Sequence, residues 1–265
     1  MKLLLVAPRT GAQWVREGLQ AFRRAPMAFF SLFMLFMSAI ALLSRVPVLG
    51  GALAVALAPA STLAMMAAAE QASRLPPGRV TPDGRPVTAV LFMSALGAVR
   101  SQVRPLVVLG ALYGVAVTLA GLLASAIAGD PMAGAFDAQG APKPEVIQSA
   151  GFQFAMLLRM ALYLPVALAF WHAPALVHWH AVPPVKSLFF SLVTCVRNFG
   201  AMAVYGLVWF AVVLAGSIVL SLVASVAMAA AGSVGVAVLV GGSFVLTAMF
   251  LTSTWFSFRD CFQAD

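Results

Sequence analysis

Apolar residues gather into long runs along the chain, and short polar stretches separate these runs. A helix needs about 20 mostly apolar residues to cross the roughly 30 Å hydrocarbon core of a bilayer. The runs that meet or approach this length lie at about 26–43, 47–69, 105–128, 152–177, 201–228 and 233–258. None alternates like a barrel strand, and backbone groups in lipid must be paired within their own segment. The pattern therefore predicts six transmembrane helices.

Three shorter patterns predict helices at the membrane interface. The stretches 88–99 and 185–196 are apolar but too short to span a bilayer. In the N-terminal segment, polar residues recur at helical spacing, while an apolar face carries Val15 and Phe22 with Trp14 at its edge. This pattern is typical of an amphipathic helix on an anionic membrane surface, with Trp14 and the arginines as anchors.

These three patterns occupy equivalent places in the chain. Each ends near arginine and precedes a pair of spans, and the second and fourth spans both contain Ala-Pro-Ala, at 58–60 and 173–175. We therefore predict an all-α membrane protein with one integral membrane domain, built as three parallel repeats of an interfacial helix plus a transmembrane hairpin. The predicted repeats cover about 11–69, 86–177 and 183–258. Chance recurrence is the alternative, because any six-span chain has three junctions on one side.

Composition and charge narrow the function classes. The chain has 265 residues, of which 62% are hydrophobic and 9% charged, and this excludes a soluble enzyme, a nucleic-acid-binding domain and a disordered chain. Two basic residues, Arg45 and Lys143, lie on one side of the spans and Arg159 lies inside one. The other thirteen lie on the opposite side, at Lys2, Arg9, Arg16, Arg23, Arg24, Arg74, Arg79, Arg85, Arg100, Arg104, Lys186, Arg197 and Arg259.

This charge bias predicts the orientation and the partners. Basic residues collect on the cytoplasmic side of membrane proteins, so both termini are expected in the cytoplasm and the 129–151 loop outside. The predicted location is a bacterial inner membrane, with anionic lipid headgroups as partners and no nucleic acid. A Gly-x-x-x-Gly pair at Gly110 and Gly114 is compatible with a homo-oligomer or with other membrane proteins as partners. Cys195 and Cys261 are isolated, and we expect free thiols.

The stretch from His172 to Val177, together with residues 183–191 and 195–198, resembles the core signature of an uncharacterised family of proteobacterial inner-membrane proteins. Trp14 and residues 23–26 fit the same family. The resemblance implies a helical inner-membrane protein of unknown activity, and it brings no catalytic or ligand residues with it.

Ionisable residues and prolines in or beside the spans are the candidate sites. The candidate polar or lipid contacts are Arg23, Arg24, Arg104, Arg159, Arg197, His172, His178 and His180. Arg159 either pairs with a polar group on another helix or snorkels to the interface. The histidines suggest a metal or haem site, but their spacing and their tryptophan neighbours favour an aromatic belt. Pro59 and Pro174 are expected to kink their helices, either around a polar cavity or for simple packing.

The chain contains no enzyme motif, so we expect no catalytic residue, metal or cofactor. The favoured function is a non-enzymatic scaffold or lipid-interacting helix bundle. The alternative is a permease or conduit for an amphiphilic or lipid-like solute, suggested by the two prolines. A cofactor enzyme would rest on the histidines alone.

Overall fold

A computed structural model of the chain describes residues 2–47, 49–75, 80–137, 143–231 and 233–263. Its helices, in chain order, are α1 (Thr10–Arg24), α2 (Pro26–Leu43), α3 (Gly50–Ala56), α4 (Ala58–Arg74), α5 (Val87–Ser101), α6 (Val103–Ala128), α7 (Pro144–Ile147), α8 (Ala150–Trp171), α9 (Ala173–His180), α10 (Pro184–Arg197), α11 (Phe199–Ala231) and α12 (Ser233–Cys261). Two short strands, β1 (Lys2–Leu3) and β2 (Phe262–Gln263), pair antiparallel and join the two ends of the chain.

The described helices include six segments that are long and apolar enough to cross a membrane. They are α2, α3 with α4, α6, α8 with α9, α11 and α12. This confirms the six predicted spans and the all-α membrane class. Residue Arg79 and the loop residues 138–142, which entered the charge and loop predictions, lie outside the described residues.

Two of the predicted spans are broken rather than continuous. The helix from α3 to α4 breaks at Leu57, and the helix from α8 to α9 breaks at His172. Pro59 and Pro174 each lie in the first turn of the helix that follows, where the missing N–H of proline costs nothing. The prolines therefore start new helices instead of kinking continuous ones.

The short predicted helices are present as α1, α5 and α10, each directly before a span. The equivalence of three repeated units stays a prediction, and α1 differs from the other two in its surroundings. Its apolar face packs against α11 and α12, and Trp14 is fully buried with its indole donating to Asp260 at 2.9 Å. The predicted role of Trp14 as a lipid anchor is wrong, because protein covers the face that we assigned to lipid.

Most of the buried side chains lie at the end of the molecule where β1 and β2 meet. We call this end the base layer, and define it as α1, α5, α9 and α10 with residues 63–74 of α4 and 252–261 of α12. Away from the base layer, α6, α8 and α11 expose large apolar side chains along most of their length. The molecule therefore has a tightly packed base and a looser apolar part.

Candidate functional site

The break between α8 and α9 contains a buried histidine. His172 is fully buried, and its Nε2 lies 3.1 Å from the Ser257 hydroxyl. That hydroxyl also accepts a bond from the Trp171 indole at 3.2 Å and donates to the carbonyl of Thr254 at 2.8 Å. Since the serine hydrogen is used by Thr254, the network assigns the imidazole proton to Nε2. Because His172 is fully buried, it does not contact lipid. Its imidazole instead makes a polar contact inside the protein.

A serine from α10 replaces the backbone bond that the break removes. The Ser191 hydroxyl accepts from the backbone N–H of His172 at 2.9 Å and donates to the carbonyl of Leu168 at 2.8 Å. The N–H of residue i and the carbonyl of residue i−4 would pair directly in an unbroken helix. Ser191 thus lies between the two groups and satisfies both of them.

The cysteine next to this serine is chemically quiet. Cys195 Sγ lies 3.8 Å from His172 Nδ1, and burial raises the pKa of the Cys195 thiol to about 12. A thiol with such a pKa is protonated at neutral pH and is a poor nucleophile. Cys195 and Cys261 are both free and buried, which confirms the expectation of free thiols.

The other two histidines face different surroundings. His178 packs edge-on against Trp179, whose indole donates to Glu70 at 3.1 Å. His180 packs against Phe258. Across the described parts of the chain, no three His, Cys, Asp or Glu side chains are grouped so that they could hold a metal ion. The histidines are thus part of the aromatic packing of the base layer.

A second serine on α12 joins further aromatic residues. Ser253 accepts from Trp209 at 3.0 Å and shares a 2.6 Å hydrogen bond with Tyr205. Ser253 and Ser257 are four residues apart and therefore lie on one face of α12. Sequence reasoning missed Ser191 on α10 and Ser257 on α12. For Ser257 a signal was present, because Ser253 and Ser257 are four residues apart in an apolar helix, and this spacing indicates a polar face turned inward.

A pocket lies beside Pro59, but Pro174 does not line it. The pocket has a volume of about 220 Å³ and is bordered by α4, α6, α8 and α12. Its hydroxyl-bearing residues include Thr62 and Thr254, which donate to carbonyls of their own helices at 3.0 and 2.7 Å. Of the two alternatives for the prolines, a polar cavity between both of them is not supported, because Pro174 is buried and does not line this pocket.

The predicted arginine contacts separate into three environments. Arg24 donates to the carbonyl of Ala72 at 2.7 Å, and thereby binds the C-terminal end of α4. Arg159 donates to Ser125 at 2.9 Å and lies 3.8 Å from Asp130. The remaining three side chains are exposed, as that of Arg24 is, and they are Arg23, Arg104 and Arg197.

These environments bear on whether each arginine binds another part of the protein or a lipid headgroup. Arg24 holds two helices together through this contact, and its side chain is exposed, so it also remains a candidate for a lipid contact. Arg159 links α8 to α6 and reaches toward the loop that follows α6, which supports pairing with a polar group on another helix. Snorkelling to the interface stays a prediction. Arg23, Arg104 and Arg197 likewise remain candidates for lipid headgroups.

Comparison with known proteins places the chain in a family. It is 39% identical over 269 aligned residues to a probable inner membrane protein of Burkholderia thailandensis, and the alignment covers 99% of the chain and 94% of that protein. The chain belongs to this family of inner-membrane proteins. No family model and no solved structure matches it. This confirms the predicted resemblance and a multi-pass location in the inner membrane.

The helices α5 and α10 each have one face that packs against the protein and one face that is exposed. On α10, Ser187, Ser191 and Thr194 are buried, while Val185 and Phe189 are 65% and 63% exposed. On α5, small or apolar residues face inward, while Met93 is 73% exposed and Leu96 is 43% exposed. Each helix therefore turns an apolar stripe away from the protein, whereas α1 turns its polar face outward.

Proposed function

We propose that this protein is a non-enzymatic, lipid-interacting helix bundle that collects anionic phospholipid around its base layer. The observation that carries the proposal is the outward apolar stripe of α5 and of α10, each accompanied by exposed basic residues. An interfacial helix buries its apolar face at the boundary of headgroups and acyl chains, and its basic residues attract anionic headgroups. The stripe and the charges thus fit the two parts of one lipid molecule.

The base layer is proposed to face the cytoplasm. Support comes from the basic residues, thirteen of which flank the predicted spans on the side of the termini. A periplasm-dependent reporter enzyme inserted in the 129–151 loop should therefore be active, and an inactive reporter would reverse the orientation.

Neutralising the basic residues of α10 tests the lipid proposal. Removing the charges of Lys186 and Arg197, as K186Q with R197Q, should weaken the preference for phosphatidylglycerol over phosphatidylcholine by about 1 kcal/mol per charge. The protein is reconstituted in vesicles of phosphatidylglycerol and phosphatidylcholine and extracted with a nanodisc-forming polymer. The measurement is the phosphatidylglycerol content of the resulting nanodiscs. Its matched control is R85Q, since the Arg85 guanidinium already pairs with Asp83 at 3.1 Å. A wild-type lipid shell with the composition of the bulk membrane would refute the proposal.

A conduit for a lipid-like solute is the second candidate, favoured by the pocket beside Pro59. The hydroxyl hydrogens of Thr62 and Thr254 are taken up by their own helices, and this supports the static bundle over the conduit. The two functions differ in whether lipid crosses the membrane. A fluorescent phosphatidylglycerol in the inner leaflet of vesicles should stay protected from a membrane-impermeant reductant, and rapid loss of protection would favour the conduit.

A further inference from the structure

A long apolar groove lies between the end of α2, α3, α4, the end of α5 and α6. It has a volume of about 750 Å³, and its lining is apolar apart from Thr118. Along α6 the lining extends from Val103 to Leu119, which is about 24 Å at 1.5 Å per residue. This length covers most of the roughly 30 Å hydrocarbon core of a bilayer. The groove is thus long enough for an extended fatty acyl chain.

Two arginines stand at the base-layer end of this groove. Arg100 follows the lining residue Val99, and Arg104 lies on the same helix face as the lining residues Val107 and Ala111, three and seven residues further on. Both arginine side chains are exposed, and the ion pairs found within the described residues do not include them. Positive charge therefore marks one end of an otherwise apolar groove.

We propose that this groove is a binding site for one anionic phospholipid molecule, with an acyl chain along α6 and the phosphate at Arg100 and Arg104. A phospholipid matches the groove because its charge lies at the interface and its hydrocarbon lies below. An apolar helix from a second copy would leave the two guanidinium groups without a counter-charge. The inference rests on the proposed function and assigns it one defined site.

One glycine of α6, Gly114, allows the groove to be filled without disturbing the fold. A Cβ at Gly114 would lie 3.9 Å from the nearest atom, the Ala52 carbonyl oxygen, so G114L places its side chain in the groove. A Cβ at Gly110 would lie 2.4 Å from the Ala56 carbonyl oxygen, so a change there would push α3 away. G206L on α11 is the matched control, because a Cβ at Gly206 meets nothing within 4 Å.

The experiment measures phosphatidylglycerol retained by the purified full-length protein in detergent, counted per chain by native mass spectrometry. Phosphatidylcholine with the same acyl chains is the competing probe. We expect one retained phosphatidylglycerol in wild type and G206L, and loss of this molecule in G114L. The double variant R100Q with R104Q leaves the groove intact and should bind about thirtyfold more weakly, from two lost arginine contacts near the membrane surface.

The outcomes separate this site from the general proposal. Unchanged retention in both G114L and the double arginine variant would overturn the groove site, even if the lipid shell is still rich in phosphatidylglycerol. A dimer in wild type that becomes a monomer in G114L would assign the groove to a second copy and also overturn the proposal. A wild-type shell without any anionic preference would remove the proposed function itself.

Discussion

Replacing Gly18 by leucine is expected to separate α1 from the base layer. A Cβ at Gly18 would lie 2.2 Å from the Cβ of Ser253 and 2.5 Å from its Cα, so there is no room between α1 and α12 for a side chain at position 18. Overpacking of a tight contact costs about 1–3 kcal/mol and sometimes more, and here the displaced atoms include backbone. We expect G18L to lose about 3 kcal/mol of unfolding free energy. Thermal unfolding of the detergent-solubilised protein measures the loss.

The same change at Gly97 is the control for helix propensity. A Cβ at Gly97 would meet nothing within 4 Å, and the residue lies on the exposed side of α5. G97L should be neutral or slightly stabilising, because leucine favours a helix over glycine by a few tenths to about 1 kcal/mol. If G18L and G97L unfold at the same temperature, α1 and α12 do not make this close contact in the solubilised protein.

Removing the Ser191 hydroxyl is expected to destabilise the break between α8 and α9. S191A leaves the buried N–H of His172 and the carbonyl of Leu168 without their shared partner. An unsatisfied buried polar group costs about 1–3 kcal/mol, so the loss should exceed that of an ordinary surface substitution. The readouts are the unfolding temperature and hydrogen exchange of residues around His172.

Ser225 provides a matched control for this serine. Its hydroxyl donates to the carbonyl of Ser221 in its own helix at 2.7 Å and is exposed. S225A removes a bond that an unbroken helix does not need, so we expect almost no change. Equal effects of S191A and S225A would show that the backbone at the break finds another partner.

The helical elements could be predicted closely because helix formation and membrane insertion depend on local runs of side chains. The pattern placed one span at 26–43, and the structure has a helix at Pro26–Leu43. The stretch 185–196 likewise corresponds to Pro184–Arg197. The breaks at Leu57 and His172 were harder to place, since the prolines mark a boundary only to within two residues.

The candidate site could be predicted only in part. Arg24 and Arg197 have similar sequence surroundings, each at the end of a short helix before a span. Both side chains are exposed, but Arg24 in addition binds the carbonyl end of α4. Nothing in the spacing distinguishes them, because the partner of Arg24 lies 48 residues away along the chain.

The amino-acid sequence by itself determined which segments cross the membrane, because transfer of an apolar run into hydrocarbon is a property of that run alone. It also determined that the N-terminal helix has one apolar face. Only the tertiary structure decided what covers that face. Gly18 allows α1 to approach α12, and Trp14 is consequently buried by protein instead of lipid. The same packing turns the polar face of α10 inward toward His172, and so leaves its apolar stripe exposed.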